Sequence, residues 1–193
     1  MVSGLSPEIG YLFQQDALLP WKTALDNIAM GPIFRGTSRA EARTQAQDWL
    51  AKVGLAAFAG RYPHQLSGGQ KKRVQMAQAL INGPQVILMD EPFSALDVHT
   101  RHLMQNELLR LWQEQRRAVV FITHDLEEAI ALSDRVLVLS AGPASRPVAE
   151  FPVSLPRPRD VAEIKLQSDF LDLYRQIWSC LRSEVEKSHG RQA

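Results

Sequence analysis

Short uninterrupted apolar runs alternate along this chain with stretches whose apolar residues recur every three to four positions. Val86-Ile87-Leu88-Met89 leads into Asp90-Glu91, Ala118-Val119-Val120-Phe121-Ile122 leads into Thr123-His124-Asp125, and Val136-Leu137-Val138-Leu139 forms a third run. Runs of this kind, rich in Val and Ile, predict strands buried on both faces of a mainly parallel sheet. Ile9 to Phe13 is a weaker strand candidate at the front. Helices are predicted in between. Ser38 and Glu41 form a capping box ahead of Ala42, Ala46, Trp49, Leu50 and Val53, up to Gly54. Val74, Ala77, Leu80 and Ile81 form a second face that Gly83-Pro84 stops, and Asp97 caps a third helix running through Leu103, Leu108 and Leu111. The fold class is therefore α/β, a sheet flanked by helices. Residues 1–142 read as that domain, and 143–193 as a Pro-rich linker (Pro143 to Pro158) followed by an amphipathic helix. Phe170, Leu173, Tyr174, Ile177, Leu181 and Val185 share one face of this last helix.

Composition narrows the function classes. Of 193 residues, 45% are hydrophobic and 22% charged, as in an ordinary soluble globular domain. Twenty-two Lys and Arg oppose 21 Asp and Glu, for a formal net charge of +1, so no basic excess points to a nucleic-acid partner. A single cysteine, Cys180, excludes an internal disulfide framework and a cysteine-rich zinc site, and a reducing compartment is expected. No apolar run approaches the ~18 residues that span a bilayer. The start, Met1-Val2-Ser3-Gly4, has no basic or apolar signal region, so no secretory leader is expected. Any service to a membrane is expected from its surface.

Four sets of residues carry candidate chemistry. Leu66-Ser67-Gly68-Gly69-Gln70 stands where a loop enters a helix. Glycines allow close backbone approach, and the free amides and positive dipole of a helix start suit phosphate. Ser67 either donates its hydroxyl to that anion or simply caps the helix. Asp90 and Glu91 leave a strand at the carboxyl end, where open α/β sheets bind ligands. Asp90 is placed to hold Mg²⁺ directly or through water, and Glu91 to orient or deprotonate an attacking water. His124 follows the next strand, as a partner for a phosphate or that water, or as a surface helix cap. Gln14, after the front strand, offers a carbonyl to Mg²⁺ or its water.

In order and spacing these segments resemble the ATP-binding cassette (ABC) ATPases, from Ile9 to about Ser140 without a gap. Leu66 to Gln70 is similar to the signature motif, Val86 to Glu91 to the Walker B strand with its following glutamate, and Ser94-Ala95-Leu96-Asp97 to the D-loop. His124 to Ala129 is similar to the H-loop, and Gln14 to the Q-loop glutamine. Leu18-Leu19-Pro20-Trp21, Asn27-Ile28 and Pro156-Arg157-Pro158-Arg159 resemble the importer branch for nitrate, sulfonates and taurine. The resemblance implies a P-loop NTPase-like core with a helical subdomain at about 24–82, and ATP and Mg²⁺ as cofactors. It implies Glu91 and His124 as catalytic residues, and Asp90 with Gln14 at the metal. Gln14, Ser67, Gly68, Gly69, Gln70 and Asp97 would be nucleotide contacts. Implied partners are a second ATPase subunit, head to tail, and integral permease subunits, at the cytoplasmic face of the membrane. The surface around Gln14 and Ser38 to Gly54 would dock a permease helix, with Trp21 either at that contact or in the core.

The family's P-loop, G-x-x-x-x-G-K-[ST], is absent: none of Lys22, Lys52, Lys71, Lys72, Lys165 and Lys187 follows a glycine. Gln78 also departs from the arginine common in relatives. Several charge-assisted phosphate contacts worth ~2–5 kcal/mol each are thereby missing, so this chain is not expected to hold ATP in its own composite site. Two origins fit. Truncation of a full-length ATPase is favoured, because Asp90, Glu91 and His124 are retained. The other is a non-catalytic half-site subunit donating its signature motif to an intact partner. An ABC ATPase of DNA repair or translation fits poorly, for want of heptad runs or a second cassette.

Overall fold

The computed structural model describes residues 6, 8–15, 17–142 and 144–190. Pro143 lies outside the described residues, as does the side chain of Val185. The chain divides into two compact units after Ile122.

The first unit holds a parallel three-stranded sheet of β1 (Ile9–Leu12), β2 (Val86–Asp90) and β3 (Ala118–Ile122), in that order. Its helices are α1 (Ala24–Phe34), α2 (Arg39–Lys52), α3 (Gly68–Leu80) and α4 (Val98–Glu114). Leu12, Ile87 and Met89 are buried on one face of the sheet. Gly10 is required there: a Cβ would lie 2.9 Å from Pro84 Cγ and 3.1 Å from the Ala79 carbonyl, where α3 ends. The helix starts follow the capping logic of the sequence, with Thr23, Ser38, Ser67 and Asp97 each accepting a first-turn amide. Asn27, fully buried, accepts from Leu19 N and donates to the carbonyls of Leu19, Lys22 and Thr23. That one amide fixes the Leu18-to-Trp21 loop onto α1, while Trp21 itself stays 69% exposed. Core packing is therefore not its role.

Two expectations about strands need correction. The parallel sheet was expected to be buried on both faces, but β1 and β3 leave their second face open, with Tyr11 41% and Val120 53% exposed. The third apolar run was expected in the same sheet. It forms β4 (Arg135–Leu139), paired antiparallel with β5 (Pro147–Pro152) in a separate two-stranded sheet of the second unit. Val136 and Val138 are buried while Leu137 and Leu139 face outward, so one side of this run is apolar without being covered. β5 falls within the stretch expected to be a linker. Its prolines stand at its two ends, where a missing N–H costs a ladder little.

The second unit also contains α5 (Leu126–Leu132), α6 (Val161–Ile164) and α7 (Ser168–Gly190). Phe170 and Ile177 bury the expected face of α7, which packs against α5 and β4. Arg159 organises the rest. Its buried guanidinium donates to the carbonyls of Ile130, Ala131 and Ser133, at and beyond the end of α5, and to those of Val153 and Leu155. Helix ends leave such carbonyls without intrahelical partners. Burial, reinforced by nearby Arg157 and opposed by Asp134, pushes the Arg159 pKa down to about 10.

Candidate functional site

Strand register builds the rim. Leu12 lies beside Met89, and Asp90 beside Ile122, so all three strands deliver the chain to one edge of the sheet. Gln14 follows β1 by two residues, and its Nε2 donates to Glu91 Oε2 at 3.0 Å. The Gln14 amide and the Glu91 carboxylate are thus in direct contact, across a sequence separation of 77 residues.

Glu91 is held in an unusual backbone state. Its φ is +41°, the left-handed region that a non-glycine residue enters at a cost of ~1–3 kcal/mol. The neighbours hold it there: Glu91 N donates to Ile122 O at 2.8 Å, and Ser94 N and Oγ donate to Glu91 O at 3.3 and 3.0 Å. Gln14 Nε2 also reaches Ser94 Oγ at 3.5 Å, so Ser94 joins the backbone of Glu91 to the Gln14 amide. Ser94 lies in the segment that resembles a D-loop, but nothing in that pattern marks this clamp.

Gln14 is fixed from below as well. Lys72 on α3, 3% exposed, donates its ammonium to the carbonyls of Phe13 and Gln14, and Gln75, also 3% exposed, donates Nε2 to Gln15 O at 3.2 Å. Nothing in the sequence Lys71-Lys72-Arg73 sets Lys72 apart, and only packing separates it from its neighbours.

The same α3 begins at the Ser67 tip. Ser67 Oγ accepts from Gln70 N at 3.3 Å and Gln70 Oε1 from Ser67 N at 2.9 Å, a closed capping box. Helix geometry leaves the amides of Gly68 and Gly69 without intrahelical acceptors. Gly68 is exposed, while a Cβ on Gly69 would meet Thr100 Cγ2 at 2.7 Å. Thr100 lies in the first turn of α4, whose cap is Asp97, so the tip and the D-loop-like turn are neighbours. The backbone N–H of Thr100, then its side chain, hold the Asp97 carboxyl below its ordinary value.

His124 belongs to the second unit. It is exposed, in a turn where Asp125 N donates to Thr123 Oγ1 at 3.0 Å and Asp125 caps α5 through Glu128 N.

The donor set fits the proposed cofactors in part. Among the described residues no group of three His, Cys, Asp or Glu side chains converges on a metal. Asp90 with the carboxamide of Gln14 suits Mg²⁺, which takes one or two protein oxygens and completes its shell with phosphate and water. The exposed Gly68 amide suits a phosphate oxygen. The phosphate-cradling pattern G-x-x-x-x-G-K-[ST] does not occur in the sequence.

Comparison with known proteins agrees with the family resemblance. The ABC transporter family profile matches residues 2–94. An uncharacterised ABC transporter ATP-binding protein of Methanocaldococcus jannaschii is 43% identical over 187 residues, which cover 97% of this chain and 68% of the relative. This chain belongs to the ABC transporter ATP-binding family. A taurine import ATP-binding protein of Rhizobium johnstonii is 44% identical over 178 residues, covering 90% of this chain and 68% of its own length. A nitrate import ATP-binding protein of Synechococcus elongatus is 39% identical over 180 residues, covering 92% and 27%. A solved ATP-binding cassette, in a dimeric post-hydrolysis state bound to ADP and Pi, shares 40% identity at a TM-score of 0.58. That match covers 67% of this chain and 57% of the other, so this chain spans little more than half of the solved cassette. The fold class, an α/β ABC ATPase core, follows from this likeness.

Proposed function

We propose that this chain is the ATP-binding and ATP-hydrolysing subunit of an importer for a small solute of the nitrate, sulfonate or taurine kind. The observation that carries the reading is the bond from Gln14 Nε2 to Glu91 Oε2. It joins the residue expected to sense the metal and its water to the residue expected to activate that water. When bound, ATP with Mg²⁺ supplies the phosphorus that water attacks. Asp90 and Gln14 would hold the cation, Glu91 would take the proton of the attacking water, and His124 would hydrogen-bond the phosphate or that water. Ser67, Gly68, Gly69 and Gln70 would meet a phosphate carried by a second subunit arranged head to tail, with Asp97 in the adjoining turn.

Permease subunits would dock near Gln14 and α2, where Trp21 is 69% and Phe34 79% exposed. Among the described residues no helix is long and apolar enough to cross a membrane; a peripheral place at the cytoplasmic face belongs to the importer reading.

A second reading is favoured by one observation, an exposed signature tip in a sequence without a P-loop. It is a half-site subunit that donates Ser67 to Gln70 and hydrolyses nothing itself. With a P-loop-bearing segment joined ahead of residue 1, ATP turnover separates the two: turnover supports the ATPase, and binding of a fluorescent ATP analogue without turnover supports the half-site role.

A further inference from the structure

A cleft of about 290 Å³ opens in the first unit, between the end of α2, α3 and α4. That volume stands at the bottom of the ~300–1,000 Å³ range of small-molecule sites. Part of its lining is apolar. Leu55 and Met104 are buried, Phe58 of the turn Ala56–Phe58 is half-buried, and Leu103 on α4 is 48% exposed. A hydrocarbon chain laid against Leu103 would take that surface out of water.

The rest of the lining holds a charge. Arg73, on the second turn of α3, is the one charged residue there, and no acidic residue lines the cleft. Its Nη1 donates to Val53 O at 2.9 Å, at the end of α2, and a Cβ on Gly54 would come within 3.1 Å of the same nitrogen. The carbonyl and the glycine thus fix where the guanidinium lies. Among the described residues it has no carboxylate partner. Its planar fork matches the two oxygens of a carboxylate better than the single carbonyl it now holds. Gln70, one turn nearer the Ser67 tip, also lines the cleft. Its Oε1 accepts from Ser67 N, and its Nε2 has no partner among the described residues.

Charge, size and polarity select the occupant. One uncompensated cation asks for one negative charge, and the apolar lining asks for a short hydrocarbon. A nucleotide fits poorly: it would bring several negative charges to one guanidinium, and Phe58 is the one aromatic side chain lining the cleft.

We propose that this cleft binds a small aliphatic carboxylate, its head group on Arg73 and Gln70 and its chain against Phe58, Leu103 and Met104. The site rests on the cleft and its donors, independently of the nucleotide reading. Because Gln70 also closes the capping box at Ser67, an occupant reaches the tip of α3 from behind.

The test titrates the full chain with hexanoate and follows the backbone amides by NMR, with butanoate, 1-hexanol and inorganic phosphate as comparison probes. Hexanoate is expected to saturate with a Kd below about 1 mM and to shift the amides of Gly54, Gln70 and Thr100. Butanoate, two methylenes shorter, should bind about tenfold more weakly. 1-Hexanol and phosphate, each lacking one half of the ligand, should also bind about tenfold more weakly or worse. Arg73→Gln should weaken hexanoate by about tenfold or more. That variant also alters the contact with Val53 O, so Leu103→Glu is the second: it changes an exposed position, sets a rival carboxylate against the apolar lining, and should weaken hexanoate by at least about tenfold. Leu166→Ser, at an exposed position of the second unit, should leave binding unchanged. No saturable shift up to about 10 mM hexanoate would overturn the proposal. So would phosphate or 1-hexanol binding as tightly as hexanoate, or an affinity unchanged in both Arg73→Gln and Leu103→Glu. The nucleotide reading fails separately, because no step of this titration uses nucleotide.

Discussion

The ammonium of Lys72 lies 3.4 Å from the carbonyl oxygen of Gln14, with both groups beneath the loop that follows β1. Because Lys72 sits on the second turn of α3, one helix connects the Ser67 tip to the loop whose Gln14 side chain touches Glu91. Breaking this link should free the loop before it unfolds the domain. Lys72→Met is expected to raise hydrogen exchange at residues 13–15 by an amount equivalent to ~1.5–3 kcal/mol, the worth of a hydrogen bond to a charged group. Lys72→Arg should restore part of the protection, and unchanged exchange in Lys72→Met would remove the link.

The contact of Gly69 with Thr100 gives a cleaner stability test. Gly69→Ala gains helix propensity but places a Cβ at 2.7 Å from Thr100 Cγ2, so overpacking of ~1–3 kcal/mol should dominate. Thr100→Ser deletes that methyl and keeps the hydroxyl that supports Asp97. In the Thr100→Ser background Gly69→Ala should be neutral or stabilising. Thermal unfolding of the four variants as a double-mutant cycle measures this, and additive effects would show that the contact is not made.

Arg159 should be the most sensitive position of the second unit. Arg159→Met leaves several interior carbonyls without a donor, and a loss of at least ~3 kcal/mol is expected in denaturant unfolding. Arg159→Lys should recover little, because a single ammonium cannot span the carbonyls that the planar guanidinium reaches. A loss below ~1 kcal/mol in Arg159→Met would contradict the structural role.

Asp97 links the α4 cap to pH. Its folded-state pKa is lowered, so the cap contributes stability above the ordinary carboxylate value and loses it as pH falls through the lowered one. The difference in melting temperature between wild type and Asp97→Asn should therefore shrink on acidification. A difference independent of pH would mean that the carboxylate charge plays no part in the cap.

Much of this was legible in the sequence because it is local. The caps at Ser38, Ser67 and Asp97 depend on residues within one turn, and the strands ending at Asp90 and Ile122 announce themselves by uninterrupted apolar runs. What stayed hidden depends on residues far apart in the chain. Lys72 under Gln14, Ser94 between Glu91 and Gln14, and Arg159 across the end of α5 are ordinary polar residues until packing gives them partners. The partnership of β4 was misread for a related reason. A run that is apolar at every position fits two-sided burial, yet Leu137 and Leu139 face outward.

Glu91, held at φ +41° and bonded to Gln14, is proposed to activate the water that attacks ATP. Its most direct test joins a P-loop-bearing segment ahead of residue 1 and measures ATP turnover and ATP binding in wild type and Glu91→Gln. Loss of turnover by at least ~100-fold with binding retained is the predicted result, in line with the contribution of a general base. Turnover near the wild-type rate in Glu91→Gln would contradict it.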